Sequence, residues 1–390
     1  MKERLKAPEL RFPGFTDDWE EHKLGELSNI VGGGTPSTSN PEYWDGDIDW
    51  YAPAEIGEQS YVSKSKKTIT ELGLKKSSAR ILPIGTVLFT SRAGIGNTAI
   101  LAKEAATNQG FQSIVPVQNK LDSYFIFSRT NELKRYGEVT GAGSTFVEVS
   151  GKQMSKMSIM VPELSEQQKI GSFFKQLDDT IALHQRKLDL LKEQKKGYLQ
   201  KMFPKNGAKV PELRFAGFAD DWEEHKLKDV VEKQIKGKAQ FEKLAPGDVE
   251  YLDTSRLNGG QAILTNGLKD VTLDDVLILW DGSKAGTVYH GFEGSLGSTL
   301  KAYRTSADSK FVYQYLKRYQ DNIYNNYRTP NIPHVQKDFL DVFTISVPRS
   351  DEQAKIGSFF KQLDDTIALH QRKLDLLKEQ KKGYLQKMFV

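Results

Sequence analysis

Residues Lys169–Phe203 read KIGSFFKQLDDTIALHQRKLDLLKEQKKGYLQKMF, and residues Lys355–Phe389 repeat all 35 of these positions without a change. A second, shorter repeat lies at the beginning of each half of the chain. APELRFPGFTDDWEEHKL at Ala7–Leu24 returns as VPELRFAGFADDWEEHKL at Val210–Leu227, with 15 of 18 positions the same. Long internal repeats indicate a chain built from structural copies. The sequence therefore predicts two half-proteins in tandem, each with a short motif, a middle segment and a long helix.

The middle segments differ from each other as much as the repeats agree. Gly25–Ser165 has 141 residues, Lys228–Asp351 has 124, and the two show no obvious alignment. We call them head 1 (25–165) and head 2 (228–351). Near-identical ends around dissimilar heads indicate one common mount that carries two different heads. The other predicted segments are the repeat motif at 1–24, the linker with the second motif at 204–227, and the helices at 166–203 and 352–390.

The repeated helix is a coiled-coil candidate, because its apolar residues follow alternating four- and three-residue steps. The 38 residues at 166–203 would span about 57 Å. His184 lies on the same seam. It either fixes the register of the helices or has no further role on a seam that is partly solvated. We predict an antiparallel pair with a pseudo-twofold axis, and a parallel pair is the alternative. The predicted seam residues are Ile170, Phe174, Leu177, Ile181, His184, Leu188, Leu191, Ile356, Phe360, Leu363, Ile367, His370, Leu374 and Leu377.

The composition excludes several kinds of site. The absence of cysteine rules out disulfides, thiolate catalysis and cysteine-ligated zinc. The six histidines are too far apart in sequence for a histidine-pair metal motif. Apolar runs are short, and Met1–Leu10 is too charged for a signal peptide. We therefore expect a cytoplasmic protein with no metal and no membrane span.

The net charge of +4 resides on the helices, since each has 8 basic and 5 acidic residues while both heads are balanced. A charged helix face is usually only solvated, so this excess is weak evidence for a phosphate partner. Within the heads, Ile81–Ser91, Ile114–Val117 and Val276–Trp280 read as strands. Tyr124–Arg135 and Phe311–Asn322 read as helices with apolar faces. We predict an α+β protein: two mixed α/β globular heads separated by two long repeated helices.

Short matches to catalytic motifs have simpler explanations. Asn40–Tyr43 reads NPEY, which differs from an adenine-methyltransferase motif at its acidic third position, and a turn explains it better. The glycine-rich piece Gly282–Thr287 is not a phosphate-binding loop, because its lysine lies inside the glycine pair. Glu132–Lys134 resembles a nuclease pattern only by chance in a chain with 27% charged residues. No catalytic residue is predicted.

With these residues in view, the chain resembles the specificity subunit of type I restriction–modification systems over essentially all of its length. The segments that carry the resemblance are LRFPGFTDDWEEHKLGEL, GGGTPST, PEYWDGDIDWYAPAEI, LFTSRAGIGNTAI, NQGFQSIVP and GSTFVEVSGKQMSKMSIMVPELSEQQKI. Head 2 departs from this pattern and reads LILWDGSKAGTVYHGF and RTPNIPHVQKDFLDVFTISVP instead. Divergence of this kind is what the family implies for heads that read different sequences.

The resemblance implies a non-catalytic adaptor. Each head would be a target recognition domain that reads one half of a bipartite site in double-stranded DNA. The helices would form a spacer and dock two methyltransferase subunits, with restriction subunits completing the complex. S-adenosylmethionine, ATP and Mg would bind to those partner subunits, and no cofactor is expected on this chain.

Base readout favours arginine for guanine and asparagine or glutamine for adenine, with serine and threonine less selective. Lysine and arginine also position a protein on the phosphates. Each candidate could equally be an ordinary polar loop residue. The predicted DNA-binding residues are Thr35, Ser37, Thr38, Asn40, Arg92, Asn97 and Gln109 in head 1, and Arg256, Asn258, Lys284, Arg328, Asn331 and His334 in head 2.

Two other functions compete with this hypothesis. The balanced charge of both heads leaves open a coiled-coil scaffold with two protein-binding heads and no DNA role. A stand-alone methyltransferase or nuclease would require cofactor binding by this chain, and the motifs for it are missing. Salt-dependent binding to duplex DNA separates the first alternative from DNA recognition.

Overall fold

The computed structural model divides the chain into two compact units. The first is Met1–Gln185 with Lys373–Val390, and the second is Arg186–Arg372. Each unit therefore combines one head with the first part of one repeated helix and the last part of the other. The structure describes residues 7–92, 94–142, 148–205, 207–329 and 333–390.

The first unit contains two main sheets and one separate strand pair. Its described strands are β1 (Glu20–Lys23), β2 (Ser28–Gly32), β3 (Trp44–Tyr51), β4 (Tyr61–Val62), β5 (Lys67–Ile69), β6 (Val87–Phe89), β7 (Thr98–Leu101), β8 (Ala106–Thr107), β9 (Gln112–Pro116) and β10 (Ser158–Val161). The sheet orders are β2-β9-β6-β7-β4 and β5-β3-β8. Strands β1 and β10 pair antiparallel, which ties the N-terminal repeat motif to the end of head 1.

The second unit repeats this plan. Its described strands are β11 (Glu223–Lys226), β12 (Val231–Lys236), β13 (Pro246–Leu252), β14 (Leu264–Thr265), β15 (Val276–Leu279), β16 (Val288–Tyr289), β17 (Ser295–Leu296), β18 (Leu300–Thr305) and β19 (Thr344–Val347). The sheet orders are β12-β18-β15-β16 and β14-β13-β17, and β11 pairs with β19. Strands β3 and β8 pair parallel, as do β13 and β17. The two heads thus share the order of their common strands although their sequences do not align, and the larger sheet of head 1 has one additional strand, β4.

The described helices range from single turns to two long rods. They are α1 (Leu24–Leu27), α2 (Glu71–Lys75), α3 (Ser123–Ser128), α4 (Thr130–Gly141), α5 (Gly151–Ser155), α6 (Leu164–Lys201), α7 (Thr254–Leu257), α8 (Ser309–Arg318), α9 (Gln320–Asn326), α10 (Phe339–Val342) and α11 (Ser350–Lys387). The repeated stretches form α6 and α11, each of 38 residues. Among the described residues, none of these helices is both long and apolar enough to cross a membrane.

Both head helices expected from the sequence are broken in the structure. The stretch predicted as one helix at 124–135 forms α3 and α4, which meet at Arg129, and the stretch at 311–322 forms α8 and α9, which meet at Tyr319. The predicted strand at 81–91 is also shorter, because only β6 within it pairs over several residues. At the break, the Arg129 side chain is buried and donates to the Met160 carbonyl.

Within each unit the two long helices run antiparallel, which confirms that part of the prediction. In the first unit, Tyr384 contacts Phe173 with ring centroids 5.0 Å apart, and Lys381 Nζ lies 2.5 Å from Asp178 Oδ1. Residue numbers therefore rise along α6 as they fall along α11. In the second unit the equivalent pairs are Tyr198 with Phe359 at 5.1 Å and Lys195 Nζ with Asp364 Oδ1 at 2.5 Å.

The predicted seam residues are all at least half-buried, and their role at a seam stays a prediction. Ile170 and Phe174 join the core of the first unit, and Ile356 and Phe360 join the core of the second. These residues therefore also attach a head to its helix. The buried ones are Ile170, Phe174, Leu188, Leu191, Ile356, Phe360 and Leu374, and the half-buried ones are Leu177, Ile181, His184, Leu363, Ile367, His370 and Leu377.

Candidate functional site

A repeated ion pair holds each N-terminal motif against its long helix. Arg11 donates from Nε and Nη2 to the two carboxylate oxygens of Glu166, each over 2.7 Å, and the Glu166 side chain is fully buried. Arg214 and Glu352 form the same two-bond pair at the same distances. These hydrogen bonds raise the pKa of both arginines. Each pair joins a repeat motif to the start of a long helix in the same way, so we assign both pairs a structural role.

The turn between β6 and β7 holds two of the predicted residues of head 1. Arg92 forms an isolated antiparallel bridge with Glu148, and its Nε lies 2.8 Å from Glu148 Oε1. Next to this bridge, the Val149 amide donates to the Ser91 carbonyl over 3.1 Å. The segment that contains Glu148 therefore crosses the turn and places a carboxylate beside the arginine.

Head 2 has the same crossing with different side chains. Asp281 in the turn between β15 and β16 bridges His334, and the neighbouring Val335 amide donates to the Trp280 carbonyl over 2.9 Å. His334 and Glu148 are 186 residues apart, which is the offset of the repeated helices. One backbone frame thus presents an arginine–glutamate pair in head 1 and an aspartate–histidine pair in head 2.

A second loop of head 1 lies beside its turn. Thr35 contacts Gln109 through a hydrogen bond from Oγ1 to Oε1, and the Asn108 side chain donates to Thr35 Oγ1 over 3.0 Å. The carbonyl of Gly110, the residue after Gln109, accepts a hydrogen bond from the Ser91 amide over 2.8 Å. Thr35 and Gln109 are therefore joined through Gly110 to the residue that precedes Arg92.

The remaining candidates of head 1 occupy the same loops. Ser37 and Thr38 are exposed, and Ser37 Oγ lies 2.9 Å from Ser39 Oγ. Asn40 instead accepts from the Glu42 amide over 3.0 Å and so caps a short 3₁₀ turn. Asn97 is exposed, and its backbone N–H donates to Thr90 Oγ1 over 2.9 Å at the end of the turn. Asn40 thus has a local structural partner, while Asn97 keeps its side chain at the surface.

In head 2 the arginine at position 328 is held without a carboxylate partner among the described residues. Arg328 donates from Nε to the Tyr324 carbonyl over 2.8 Å and from Nη1 to the Ser283 carbonyl over 3.0 Å. Its guanidinium also stacks on the Tyr324 ring, 5.0 Å from the centroid. Lys284 is exposed on the adjacent turn. These two residues therefore place positive charge on the turn that His334 crosses.

Of the other described candidates of head 2, Asn258 contacts Tyr289 of β16, and Arg256 has partners elsewhere. The Asn258 side chain donates to the Tyr289 hydroxyl over 3.3 Å. Burial raises the pKa of Tyr289. Arg256 contacts Glu250 through Nε and stacks 5.6 Å from the Phe292 centroid, so its charge is already compensated. Asn331 lies outside the described residues.

The sequence did not single out Glu148, Asp281 or Tyr324, which complete these clusters. Each partner is distant in sequence from the residue it contacts, except Tyr324, which is one helical turn before Arg328. Only the 186-residue offset between Glu148 and His334 could have indicated that they occupy equivalent places. Among the described residues no group of three acidic or histidine side chains is arranged to hold a metal ion.

Comparisons with known proteins agree with this duplicated architecture. The family model described as the type I restriction modification DNA specificity domain matches residues 16–193 and 219–379. The chain therefore belongs to this family and contains its domain twice. Proteins of the family are recognition subunits that are themselves non-catalytic. Each relative described below is a specificity subunit.

Two relatives come from Methanocaldococcus jannaschii. The type I restriction enzyme MjaIX specificity subunit is 37% identical over 179 residues, which cover 45% of this chain and 41% of that protein. The putative MjaX specificity subunit is 22% identical over 408 residues, covering 94% of this chain and 91% of the relative. The alignment with the first of these relatives thus spans less than half of its length.

A solved structure shares the fold over the whole chain. The S subunit of a type I restriction-modification system from M. genitalium superposes with a TM-score of 0.71 and covers 98% of this chain and 99% of its own. Its sequence identity is 14%, so the likeness concerns the fold alone. The mixed α/β heads and long helices predicted from the sequence are therefore confirmed.

Proposed function

We propose that the chain is the DNA-specificity subunit of a type I restriction–modification complex in which each head reads one half of a bipartite site. The observation that carries this proposal is the common frame with different side chains at equivalent places, Arg92 with Glu148 in head 1 and Asp281 with His334 in head 2. A structural role alone would favour the same pair in both heads. Recognition of two unlike half-sites favours different pairs.

The reading surface of head 1 is the turn between β6 and β7 together with the loops that carry Thr35 and Gln109. In head 2 it is the turn between β15 and β16 with Lys284 and Arg328. Arg328 is pre-positioned by two carbonyl oxygens, which leaves its remaining N–H groups for the O6 and N7 acceptors of guanine. Lys284 supplies a phosphate contact that positions the head without selecting a base.

The long helices serve as the spacer between half-sites and as the docking surface for other subunits. Two copies of one helix sequence offer two equivalent surfaces, which supports two copies of one methyltransferase subunit. Restriction subunits join the same complex in the cytoplasm. S-adenosylmethionine, ATP and Mg bind to these partners, which carry out adenine methylation or ATP-dependent cleavage.

Salt-dependent binding to duplex DNA tests recognition against the scaffold alternative. For the complex of this chain with its methyltransferase partner, the logarithm of the DNA-binding constant should fall linearly with the logarithm of the salt concentration, because phosphate neutralisation releases counterions. Lys284→Ala should make this slope shallower by about one counterion. The control Lys209→Ala removes an exposed lysine that pairs with Asp221 away from the turn, and it should leave the slope unchanged. Salt-independent or absent duplex binding would support the scaffold.

A further inference from the structure

In both heads, the helix that follows the last strand of the larger sheet begins with the same short pattern. Asp122–Phe125 reads DSYF at the start of α3, and Asp308–Phe311 reads DSKF at the start of α8. The two aspartates are 186 residues apart, which equals the offset of the repeated helices. The whole difference in length between head 1 and head 2 therefore lies before this pattern. Its constancy in heads that do not otherwise align requires a structural reason.

In the first unit, the pattern is bonded to α6 through one buried glutamine. The Asp122 amide donates to Gln167 Oε1 over 3.0 Å, and Gln167 Nε2 donates to the Pro162 carbonyl over 3.0 Å. Asp122 Oδ1 accepts from the Phe125 amide over 2.8 Å and so caps α3. The aspartate thus uses its backbone to bind the long helix and its side chain to begin the head helix.

The second unit reproduces each of these bonds with residues of α11. The Asp308 amide donates to Gln353 Oε1 over 2.9 Å, and Gln353 Nε2 donates to the Pro348 carbonyl over 2.7 Å. Asp308 Oδ1 accepts from the Phe311 amide over 2.9 Å. Because the two heads share little else at the residue level, the match points to a common attachment.

A glycine of each long helix makes this approach possible. A Cβ atom on Gly171 would lie 2.4 Å from Asp122 Oδ1, and one on Gly357 would lie 2.5 Å from Asp308 Oδ1. Separations this short require a shift: either the aspartate gives up its capping position or the head helix moves away. A mid-helix glycine costs about 1 kcal/mol relative to alanine, and close contact with the head is a reason to keep it.

The phenylalanine of the pattern fills a pocket whose aromatic walls belong to the mount. Phe125 packs against Trp19 and Phe389, with ring centroids 5.9 and 5.5 Å apart. Phe311 packs against Trp222 and Phe203 at 5.6 and 5.7 Å. Trp19 and Trp222 are equivalent residues of the repeat motifs, and Phe389 and Phe203 are equivalent residues of the repeated helices.

The variable third position of the pattern is tolerated because the shared helix aspartate finds a different partner in each head. The Tyr124 hydroxyl donates to Asp178 Oδ2 over 2.8 Å in the first unit. In the second unit that place on α8 is Lys310, and Gln314 Nε2 instead donates to Asp364 Oδ2 over 2.8 Å. The attachment therefore needs the aspartate and the phenylalanine of the pattern, and it does not need a fixed residue between them.

We propose that Asp-Ser-x-Phe is a docking motif and that the glutamine, glycine and aromatic pocket of each mount form a general socket for any head that carries it. The kind of partner that the socket fits is a recognition head whose helix begins with this motif, whether head 1, head 2 or a head from another chain. The motif positions the head relative to the long helix and contacts no DNA. This inference deepens the proposed function, and only its DNA-binding test depends on that function.

Four single glycine-to-alanine variants test the socket. Gly171→Ala and Gly357→Ala place a methyl group against the motif, whereas Gly197→Ala and Gly383→Ala place one where no atom lies within 4 Å. All four positions belong to the same two repeated helices, so the helical preference for alanine is matched. Hydrogen exchange of peptides covering 121–129 and 307–315 reports the attachment in each unit without DNA.

Gly171→Ala should raise exchange at 121–129 by about tenfold or more while leaving 307–315 unchanged, and Gly357→Ala should do the reverse. The control variants should leave both peptides protected. Unchanged protection in Gly171→Ala, or an equal loss in both units, would overturn the proposal. If a glycine variant does not fold, Gln167→Met and Gln353→Met provide the same comparison, because methionine keeps the size of the side chain and removes its hydrogen bonds.

Transposition tests whether the socket is general. A chain with residues 228–351 in place of 25–165 would carry head 2 on both mounts, joined at the repeated sequences. We expect it to fold, to protect both copies of the motif from exchange, and to select a gapped duplex with two identical half-sites. A transposed head that unfolds or exchanges freely would contradict a general socket. Normal protection with no DNA selection, in the parent chain as well, would instead contradict the proposed function.

Discussion

Glu166 and Glu352 are fully buried carboxylates, and each is paired with one arginine. Removing one charge from such a pair leaves the other buried and without compensation, which is more costly than the loss of a surface ion pair. The exposed pair of Lys175 with Asp179 on the same helix offers a direct comparison, since surface pairs contribute little. These buried pairs fix each repeat motif before its head begins.

Glu166→Gln should lower the free energy of unfolding by about 3–5 kcal/mol, because Arg11 would lose its buried partner and keep only the weaker influence of Asp17 and Asp18. Glu352→Gln should cost a similar amount through Arg214. Asp179→Asn serves as the control and should change stability by no more than about 0.5 kcal/mol. Urea denaturation measures all three. A loss in Glu166→Gln as small as that of the control would show that the buried pair contributes little.

His290 makes the second unit sensitive to acid. Burial lowers the pKa of His290 below its ordinary value of 6.5, and the ring stacks on Tyr313 and contacts Ser309 Oγ at 3.0 Å. The unfolded chain therefore binds a proton more readily than the folded one, and stability should fall as the pH drops below 6.5. The charged groups that act on the ring are Asp274, Asp275, Asp308 and Lys310.

His290→Gln should reduce the loss of stability between pH 6.5 and pH 5, because glutamine keeps a hydrogen-bonding group and cannot take up the proton. Thermal melts of the variant and the parent chain at pH 7.5 and pH 5.5 measure the effect. An equal drop in melting temperature for both proteins would assign the acid sensitivity to other groups.

At the scale of elements, the identical copies predicted two long helices, and the antiparallel pairing was favoured over a parallel alternative. It did not predict the breaks at Arg129 and Tyr319, since apolar periodicity continues through both positions. It also missed the shared topology of the heads. Sheet order depends on turn geometry and on the alternation of buried residues, which can be kept while residue identities change.

The candidate DNA-binding residues show the same division. Arg92, Lys284 and Arg328 were predicted from residue type and loop position. The structure places Arg92 and Lys284 on equivalent turns, and Arg328 follows α9 and donates to the Ser283 carbonyl of the second turn. Their pairing with Glu148 or with Tyr324 depends on contacts made by folding. Asn40 illustrates the opposite case, because an asparagine before a proline fits both a base contact and the helix cap that the structure shows.

The spacer makes a prediction at the element scale. Deleting four residues, about one helical turn, within Leu183–Gln194 should change the gap between the half-sites and leave the bases in each half-site the same. A matching deletion within 369–380 keeps the two helices equal in length. The gap is read by selecting bound duplexes from a random library and sequencing them. A change in half-site bases would contradict the role of the helices as a spacer.

At the scale of the whole molecule, two unlike heads on near-identical mounts predict independent recognition. Replacing residues 25–165 by the corresponding segment of another specificity subunit should change one half of the recognised sequence and preserve the other half. Sequencing of selected duplexes measures both halves at once. A change in both halves would show that the heads do not read DNA independently.

The most direct test of the central claim is a genome-wide map of methylated adenines in cells that express this chain with its methyltransferase partner. DNA recognition by two heads predicts a new bipartite motif with a fixed gap, which disappears when the gene for this chain is deleted. If the partner is folded and bound to the chain but no new motif appears, the claim that this chain selects the DNA sequence is contradicted.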